Sequence, residues 1–304
     1  MTTTSHPPAA AAPRERRPRR DWTGWKFIGP FMLVFTLVLV APVIYSIYLS
    51  VFREQLVGGT SFVGLDNYTQ ALSDPKFWEA LGRVALFLVV QVPIMLGLAL
   101  CAALAIDSSR LHLTSFFRIS IFLPYAIPAV VATLMWGFMY GTRFGLVGSL
   151  NKYFGISIPS PLSNSWVLAS IGNIVTWEFV GYNMLLFYAA LRVIPSDLYE
   201  AAELDGAGTF RIIRSIKLPA LRPALVIGVI FSIIGSFQLF AGPTILRTLA
   251  PNTISTYFTP NMYAYNLSFS GQQYNYSATI AIVVGLATAA IAYIVQLSGS
   301  RKEI

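Results

Sequence analysis

The stretch Phe31-Met-Leu-Val-Phe-Thr-Leu-Val-Leu-Val-Ala-Pro-Val43 carries no charged residue and would be apolar on every face of a helix. A strand of a membrane β-barrel would instead alternate apolar and polar side chains over segments of about ten residues. The stretch therefore predicts a helix surrounded by lipid, and the rest of the chain is interpreted as that of a helical membrane protein.

Six stretches are long enough to cross the hydrocarbon layer of a membrane, which takes about 20 helical residues. They lie at about residues 27–52, 82–106, 116–140, 167–191, 223–246 and 277–297. The sequence therefore predicts an all-α, polytopic membrane protein with six transmembrane helices. We expect Pro93, Pro124 and Pro128 to kink or interrupt their helices, because proline removes a backbone hydrogen bond.

The composition excludes several classes of protein. Of 304 residues, 55% are hydrophobic and 11% charged, a balance that a water-soluble domain cannot hide in one core. The net charge of +8 does not indicate nucleic-acid binding, because no large hydrated surface is left to carry such a site. One cysteine and two histidines exclude an intrachain disulfide, a histidine-rich metal centre and a Ser/His/Asp constellation, so we expect neither a bound metal nor an enzyme.

The basic residues predict the orientation of the chain. Residues 1–26, rich in Ala, Pro and Arg, are predicted to form a disordered basic tail beside anionic lipid, and residues 27–304 to form the transmembrane domain. An even number of spans puts both termini on one side of the membrane. Fifteen of the 21 Lys and Arg residues fall on that side, which predicts that both termini are cytoplasmic in a cytoplasmic (inner) membrane.

The predicted cytoplasmic loop at residues 192–222 is too long for a simple connection between helices. Asp197 followed by Glu200 resembles a capping box, and Gly206 stands where a helix-ending glycine is expected. Thr209 is predicted to cap a second helix, which Pro219 would end. Each helix, at about eight residues, is too short to be stable alone in water. The loop therefore either docks into a soluble protein, which its acidic residues favour, or rests on lipid headgroups.

A family resemblance begins in this loop. Glu200-Ala-Ala, Asp205-Gly-Ala and then Ile216, Leu218 and Pro219 resemble the EAA loop of permease subunits of binding-protein-dependent ATP-binding-cassette (ABC) importers. Further segments resemble the sugar branch of that family, similar to the maltose-type permease. These segments are Phe62-Val-Gly-Leu-Asp-Asn-Tyr68, Phe122-Leu-Pro-Tyr-Ala-Ile-Pro128, Gly145-Leu-Val-Gly-Ser-Leu-Asn151 and Ile194-Pro-Ser-Asp-Leu-Tyr-Glu200.

The resemblance implies the type I ABC importer permease fold and a set of partners. One chain would form half of the translocation pore beside a second permease subunit, above an ABC ATPase dimer and below an extracytoplasmic solute-binding protein. The residues that would couple this chain to the ATPase are Glu200, Ala201, Ala202, Asp205, Gly206 and Ala207. The chain has no GxxxxGK[ST] phosphate loop, so we expect no cofactor in it, with ATP and magnesium bound by the partner ATPase.

Glu178 stands near the middle of the fourth predicted span, where an ionised carboxylate facing lipid would cost several kcal/mol. It either lines the substrate path together with Trp177, Tyr182 and Asn183, or is a structural carboxylate tied to a neighbouring helix. Both interpretations remain open.

In the fifth span, the resemblance implies that Ser236, Phe237 and Gln238 border the path, whereas a serine in a membrane helix is by itself more typical of helix packing. Gln91 and Thr133 are weaker candidates for the path.

The spans carry essentially no Lys or Arg away from their ends, which favours a sugar or similar neutral polyol over a phosphate-bearing solute. An ion-coupled secondary transporter is the alternative function, because an intramembrane carboxylate can carry protons.

Overall fold

The computed structural model describes residues 23–55, 58–108 and 111–300. Over these residues the chain forms helices and one small hairpin. The helices are α1 (Thr23–Phe35), α2 (Ala41–Ser50), α3 (Asp66–Ser73), α4 (Pro75–Asp107), α5 (Thr114–Phe122), α6 (Ala129–Met139), α7 (Leu146–Phe154), α8 (Val167–Leu191), α9 (Ser196–Leu204), α10 (Thr209–Ile212), α11 (Leu218–Ala220), α12 (Arg222–Phe237), α13 (Ala241–Leu249), α14 (Pro260–Phe269) and α15 (Tyr274–Ser300). Strands β1 (Phe52–Gln55) and β2 (Gly59–Phe62) pair antiparallel.

Shorter helical turns connect some of these elements. A π-helical turn, Thr36–Val40, joins α1 to α2, a 3₁₀ turn, Leu123–Ala126, follows α5, and a second π-helical turn, Ile213–Lys217, joins α10 to α11. Most of the predicted basic tail, with Arg14, Arg16, Arg17, Arg19 and Arg20, lies outside the described residues, and so do Arg110, Arg301 and Lys302.

Four helices are continuous, long and apolar enough to cross a membrane: Gly24–Ser50, Pro75–Asp107, Val167–Leu191 and Tyr274–Gly299. Two bent pairs meet the same criteria, Thr114–Ala126 with Ala129–Met139 and Thr209–Ala220 with Arg222–Phe237. The described chain therefore offers six spans when each bent pair counts as one, as the hydropathy predicts.

The third span is broken, with an angle of 97° between its halves. Pro128 has no amide hydrogen to donate, and it holds Ile127 in an extended conformation with ψ of 131°. Helix α6 can therefore begin only after Pro128. The expected interruption at Pro124 and Pro128 is present, whereas α4 passes through Pro93 as one helix.

The fifth predicted span differs most from the structure. Residues 223–246 do not form one helix, because α12 ends at Phe237 and α13 starts at Ala241. The prediction was wrong because hydropathy continues across the break while the backbone turns there. The chain also bends by 62° ahead of α12, where the loop of residues 192–222 enters this span.

Helix α4 packs along α8 and α12 and has two distinct faces. Phe87, Gln91 and Met95 recur at every fourth position and are buried. On a second face, about 100° around the helix, Leu86, Val90, Ile94 and Leu98 are about half exposed, with relative exposures of 56, 49, 53 and 52%. A membrane solvates such a face, so α4 has its polar Gln91 inside and hydrocarbon outside.

The N-terminal end of α4 is held by a partly buried hydrogen-bond cluster. The side chain of Asp74, which caps α4 by accepting from the backbone of Lys76, also accepts hydrogen bonds from the hydroxyls of Tyr263 in α14 and Tyr276 in α15. Burial would raise the pKa of Asp74, but the hydrogen bonds outweigh it and hold the pKa below its ordinary value of 3.8. Asp74 thus links three helices as a carboxylate.

The chain divides into two compact units, residues 1–45 and 46–304. In the described part of the first unit the side chains are mostly exposed and apolar, including Phe31 at 66% and Leu33 at 63%. The site described below lies wholly in the second unit.

Candidate functional site: a central cavity and a helical hairpin

A cavity of about 510 Å³ lies between α4, α8, α12 and the break of the third span. Its wall on α8 follows from helical spacing, because side chains three, four and seven residues apart share one face. Residues that share this face are Ile171, Ile174, Val175, Glu178, Phe179 and Tyr182, with Asn183 at its edge. Helix α4 contributes Phe87, Gln91 and Met95.

The carboxyl group of Glu178 is part of this wall. The residue is 9% exposed, and none of the described residues forms a hydrogen bond or an ion pair with its carboxyl group. A carboxylate is costly to bury without partners, so water or a polar solute in the cavity is the group that can satisfy it. The geometry thus places Glu178 at the cavity and not in a pair with a neighbouring helix.

Amides and hydroxyls supply the other polar groups of the cavity. Asn183 donates one amide hydrogen to the carbonyl of Phe179 at 3.0 Å, and Gln91 donates to Thr176 at 3.2 Å. Ser232 and Ser236 donate their hydroxyl hydrogens to carbonyls of their own helix, which leaves their oxygens as acceptors.

Aromatic rings line the side of the cavity near the third-span break. The ring of Tyr125, in the 3₁₀ turn between Pro124 and Pro128, stacks on that of Tyr182 with centroids 5.1 Å apart and an angle of 24°. Phe179 meets Tyr125 edge-on at 5.7 Å. Aromatic faces beside hydrogen-bonding groups suit the C–H faces and hydroxyls of a sugar.

Five of the seven residues predicted for the substrate path line the cavity: Glu178, Tyr182, Asn183, Ser236 and Gln238. Gln91 and Thr133 line it as well. Trp177 and Phe237 do not, because their side chains pack against other residues outside the cavity. Trp177 packs edge-on against Trp136, and Phe237 is buried among Phe77, Ile233 and Ile280.

The sequence did not single out the aromatic residues Tyr125, Phe179 and Phe231, which also line the cavity. The signal for Tyr125 was its position between two prolines in the segment Phe122–Pro128. No comparable local signal marks the others, because phenylalanine is common on every face of a membrane helix.

The predicted loop at residues 192–222 forms a helical hairpin, residues 196–220, and α9 ends as predicted. Gly206 has a φ of +75°, in the left-handed region that favours glycine. The amide of Ala207 donates to the carbonyl of Ala202 at 2.8 Å, and that of Gly206 to Glu203 at 3.0 Å. This pattern is a Schellman motif, which fixes the turn after the acidic helix.

The predicted starts of the two hairpin helices were wrong in detail. Helix α9 begins at Ser196 after Pro195, so Asp197 lies inside its first turn and no capping box forms. Gly208, not Thr209, is the N-cap of α10. The second arm continues through the π-helical turn to Ala220, so Pro219 does not end it, since a proline in the first turn of α11 loses no hydrogen bond.

The hairpin exposes apolar side chains next to its acidic ones. Leu204 is 90% exposed and Phe210 75%, while Glu200, Glu203 and Asp205 are also exposed. Ala201 and Gly206 are exposed, and Ala202 and Ala207 are partly buried. A mixed apolar and acidic surface on a projecting hairpin is typical of a protein-docking site.

A polytopic helical fold with an interior cavity that contains carboxylate, amide and hydroxyl groups is typical of a solute-translocating membrane protein. The profile of the family described as "binding-protein-dependent transport system inner membrane component" matches residues 94–301, and the chain belongs to this family. Its members are the membrane components of their transport systems, so the chain is a non-enzymatic permease component and the alternative of an ion-coupled secondary transporter is not favoured.

Two relatives and one solved structure illustrate the similarity. The chain is 30% identical to the lactose transport system permease protein LacF of Rhizobium radiobacter, over 93% of this chain and 95% of the relative. It is 31% identical to the sulfoquinovosyl glycerol transport system permease protein SmoG of Agrobacterium fabrum, over 86% and 89%. A chain of a bacterial ABC transporter involved in import of the acidic polysaccharide alginate has the same fold, with a TM-score of 0.81 at 18% identity over 94% and 97%.

Proposed function

We propose that this chain is the permease subunit of an ATP-driven importer for a sugar or similar neutral polyol, and that the cavity around Glu178 is its half of the sugar path. The observation that carries the proposal is the composition of the lining. It combines carboxylate, amide and hydroxyl groups with aromatic rings, and it contains no Lys or Arg among the described residues. The names of the relatives, one a lactose and one a sulfoquinovosyl glycerol permease, support a sugar.

The proposal includes three kinds of partner. A second permease subunit completes the pore, an extracytoplasmic binding protein delivers the solute, and an ABC ATPase dimer binds ATP and magnesium. The hairpin of residues 196–220 docks on the ATPase through Glu200, Ala201, Ala202, Asp205, Gly206 and Ala207. Its exposed leucine and phenylalanine side chains support a docking role. Both termini then lie in the cytoplasm, because the hairpin and the majority of the basic residues are on that side.

Uptake into vesicles that contain the complete assembly tests the proposed substrate class. Neutral mono- and oligosaccharides are offered in parallel with uronic acid sugars and sugar phosphates, each with ATP inside the vesicle. We expect ATP-dependent uptake of a neutral sugar. Uptake of the anionic sugars alone contradicts the proposal, and uptake that a protonophore abolishes at constant ATP would support the secondary transporter instead.

Glu178→Gln tests the role of the carboxylate at nearly constant size. A hydrogen bond to a charged group contributes about 1.5–3 kcal/mol, so loss of one such bond lowers sugar uptake by about tenfold or more. Glu54→Gln, at an exposed carboxylate of β1, is the matched control and leaves uptake unchanged. Equal uptake by the two variants would remove Glu178 from the sugar path.

A further inference from the structure

The cytoplasmic end of α4 is joined to the hairpin by an ion pair between residues 110 positions apart. Lys217 Nζ donates to Asp107 Oδ2 at 2.5 Å. The two side chains are only 14% and 9% exposed. Asp107 is the last residue of α4, and Lys217 is the last residue of the π-helical turn in the second arm of the hairpin.

The first arm of the hairpin reaches the same point. The Lys217 ammonium lies 5.3 Å from the centre of the Tyr199 ring, on α9. Lys217 therefore contacts an acidic residue of α4 and an aromatic residue of the docking helix at once. The π-helical turn that carries it is a rare conformation, which occurs mostly at functional positions.

The pair has little value as a source of stability. Removing two charges from water costs about as much as their attraction returns, so an apolar pair of similar size would stabilise the fold equally well. An ion pair is more directional than an apolar contact, however, and it holds two elements in one register. The location of the ion pair between α4 and the hairpin therefore says more about its role than its contribution to stability does.

Helix α4 connects this point to the cavity. Met95 and Gln91 of the cavity wall lie on α4 at 12 and 16 residues from Asp107, which corresponds to about 18 and 24 Å along a helix. The helix is continuous over this distance, so a displacement at Asp107 moves the wall. The N-terminal end of α4 is tied to α14 and α15 through Asp74, which gives the movement a fixed end.

We propose that Lys217 and Asp107, with the ring of Tyr199, are positioning residues that fasten the docking hairpin to α4, so that movement of the hairpin displaces the cavity wall. This inference rests on the proposed function, since it requires that an ATPase moves the hairpin. It adds the path of transmission within this chain, from α9 through Lys217 and Asp107 to Met95.

A labelling experiment on the complete assembly measures the accessibility of the cavity wall and does not require that the transported sugar is known. Met95→Cys is introduced in a Cys101→Ser background, and its rate of reaction with a small charged methanethiosulfonate is measured with and without trapping by ATP and vanadate. We expect trapping to change the rate at least about fivefold in the assembly with the native pair. Asp107→Asn should abolish that change.

Two further variants separate positioning from folding. Lys217→Arg keeps the positive charge and a hydrogen-bond donor, and the exchange of Asp107→Lys with Lys217→Asp keeps the attraction between the two charges. Both variants should therefore respond to nucleotide, even if Asp107→Asn lowers the amount of assembly. Glu79→Gln is the matched control on the same helix, because it removes an exposed ion pair to Arg83 that touches neither hairpin nor cavity, and it should respond like the native chain.

Each outcome of the experiment decides something different. A full nucleotide response in Asp107→Asn overturns the link and leaves the proposed function standing. The link is also overturned if Lys217→Arg and the exchanged pair lose the nucleotide response together with Asp107→Asn. Both of these variants keep an ion pair, so an ion pair that acts as the link should preserve the response in them. No response in the native assembly refutes ATP-driven movement of this chain, and the link with it.

Discussion

Gly181→Ala tests how the third span is held against α8. Helix α8 touches the backbone of α5 at this glycine, since a Cβ atom added to Gly181 would lie 2.1 Å from the carbonyl oxygen of Ile121 and 2.7 Å from the Cα atom of Phe122. Tyr182, the next residue of α8, stacks on Tyr125 of the broken span. The contact at Gly181 thus sets the spacing of the cavity wall.

The magnitude of the effect follows from the overlap. An ordinary van der Waals contact begins at 3.4 Å, so a distance of 2.1 Å requires one backbone to move by roughly 1 Å. Overpacking lowers the free energy of unfolding by about 1–3 kcal/mol. Because the added methyl group would meet a rigid backbone carbonyl, we expect a loss of about 3 kcal/mol from this contact. Alanine stabilises a helix by about 0.5–1 kcal/mol relative to glycine, because it has the higher helix propensity. The net loss in the free energy of unfolding is therefore about 2 kcal/mol.

Thermal unfolding of the purified protein in detergent, followed by tryptophan fluorescence, measures the loss. Gly97→Ala is the matched control, because the added methyl group on α4 meets nothing within 4 Å and should keep or slightly raise the stability. Sugar uptake by the assembly should fall in Gly181→Ala alone. Equal unfolding temperatures for the two variants would refute the reasoning.

The other predictions concern single interactions. Gly206→Ala forces a side chain into the left-handed region and should cost about 1 kcal/mol in thermal unfolding, whereas Gly82→Ala, inside α4 where the added methyl group meets nothing within 4 Å, should be neutral or slightly stabilising; equal losses would contradict the cap. Because the pKa of Asp74 is lowered in the fold, its contribution to stability is complete above its ordinary pKa of 3.8 and is lost as the pH falls below it. Unfolding of Asp74→Asn should therefore occur at a lower temperature than that of the native chain at pH 7, with the difference shrinking as the pH falls through the lowered pKa of Asp74; a difference that stays constant as the solution is acidified would argue against this. Tyr199→Phe should leave the unfolding temperature unchanged or raise it, because the buried hydroxyl has no hydrogen-bond partner among the described residues; a clear drop would reveal a partner.

The features read correctly from the sequence depend on neighbouring residues. Gly206 predicts the end of α9 because the cap involves only the residues around it. Pro128 predicts the break of the third span because its ring restricts Ile127 directly. The misplaced starts of α9 and α10 show the limit of such signals, since Ser196 after Pro195 and Gly208 before Thr209 offer competing starts one residue away.

The sequence by itself determined that this is a helical membrane protein with six apolar segments long enough to span, that it carries a long acidic loop at residues 192–222, and that its family is that of importer permeases. Hydropathy and local motifs suffice for these conclusions, because the cost of charge in lipid acts on each segment separately. Only the tertiary structure decided that Glu178 faces the cavity while Trp177 and Phe237 face other helices, and that Lys217 meets Asp107. A helix that is apolar on all sides has no periodicity to show which face is inside, and a pair 110 residues apart is set by how helices pack together.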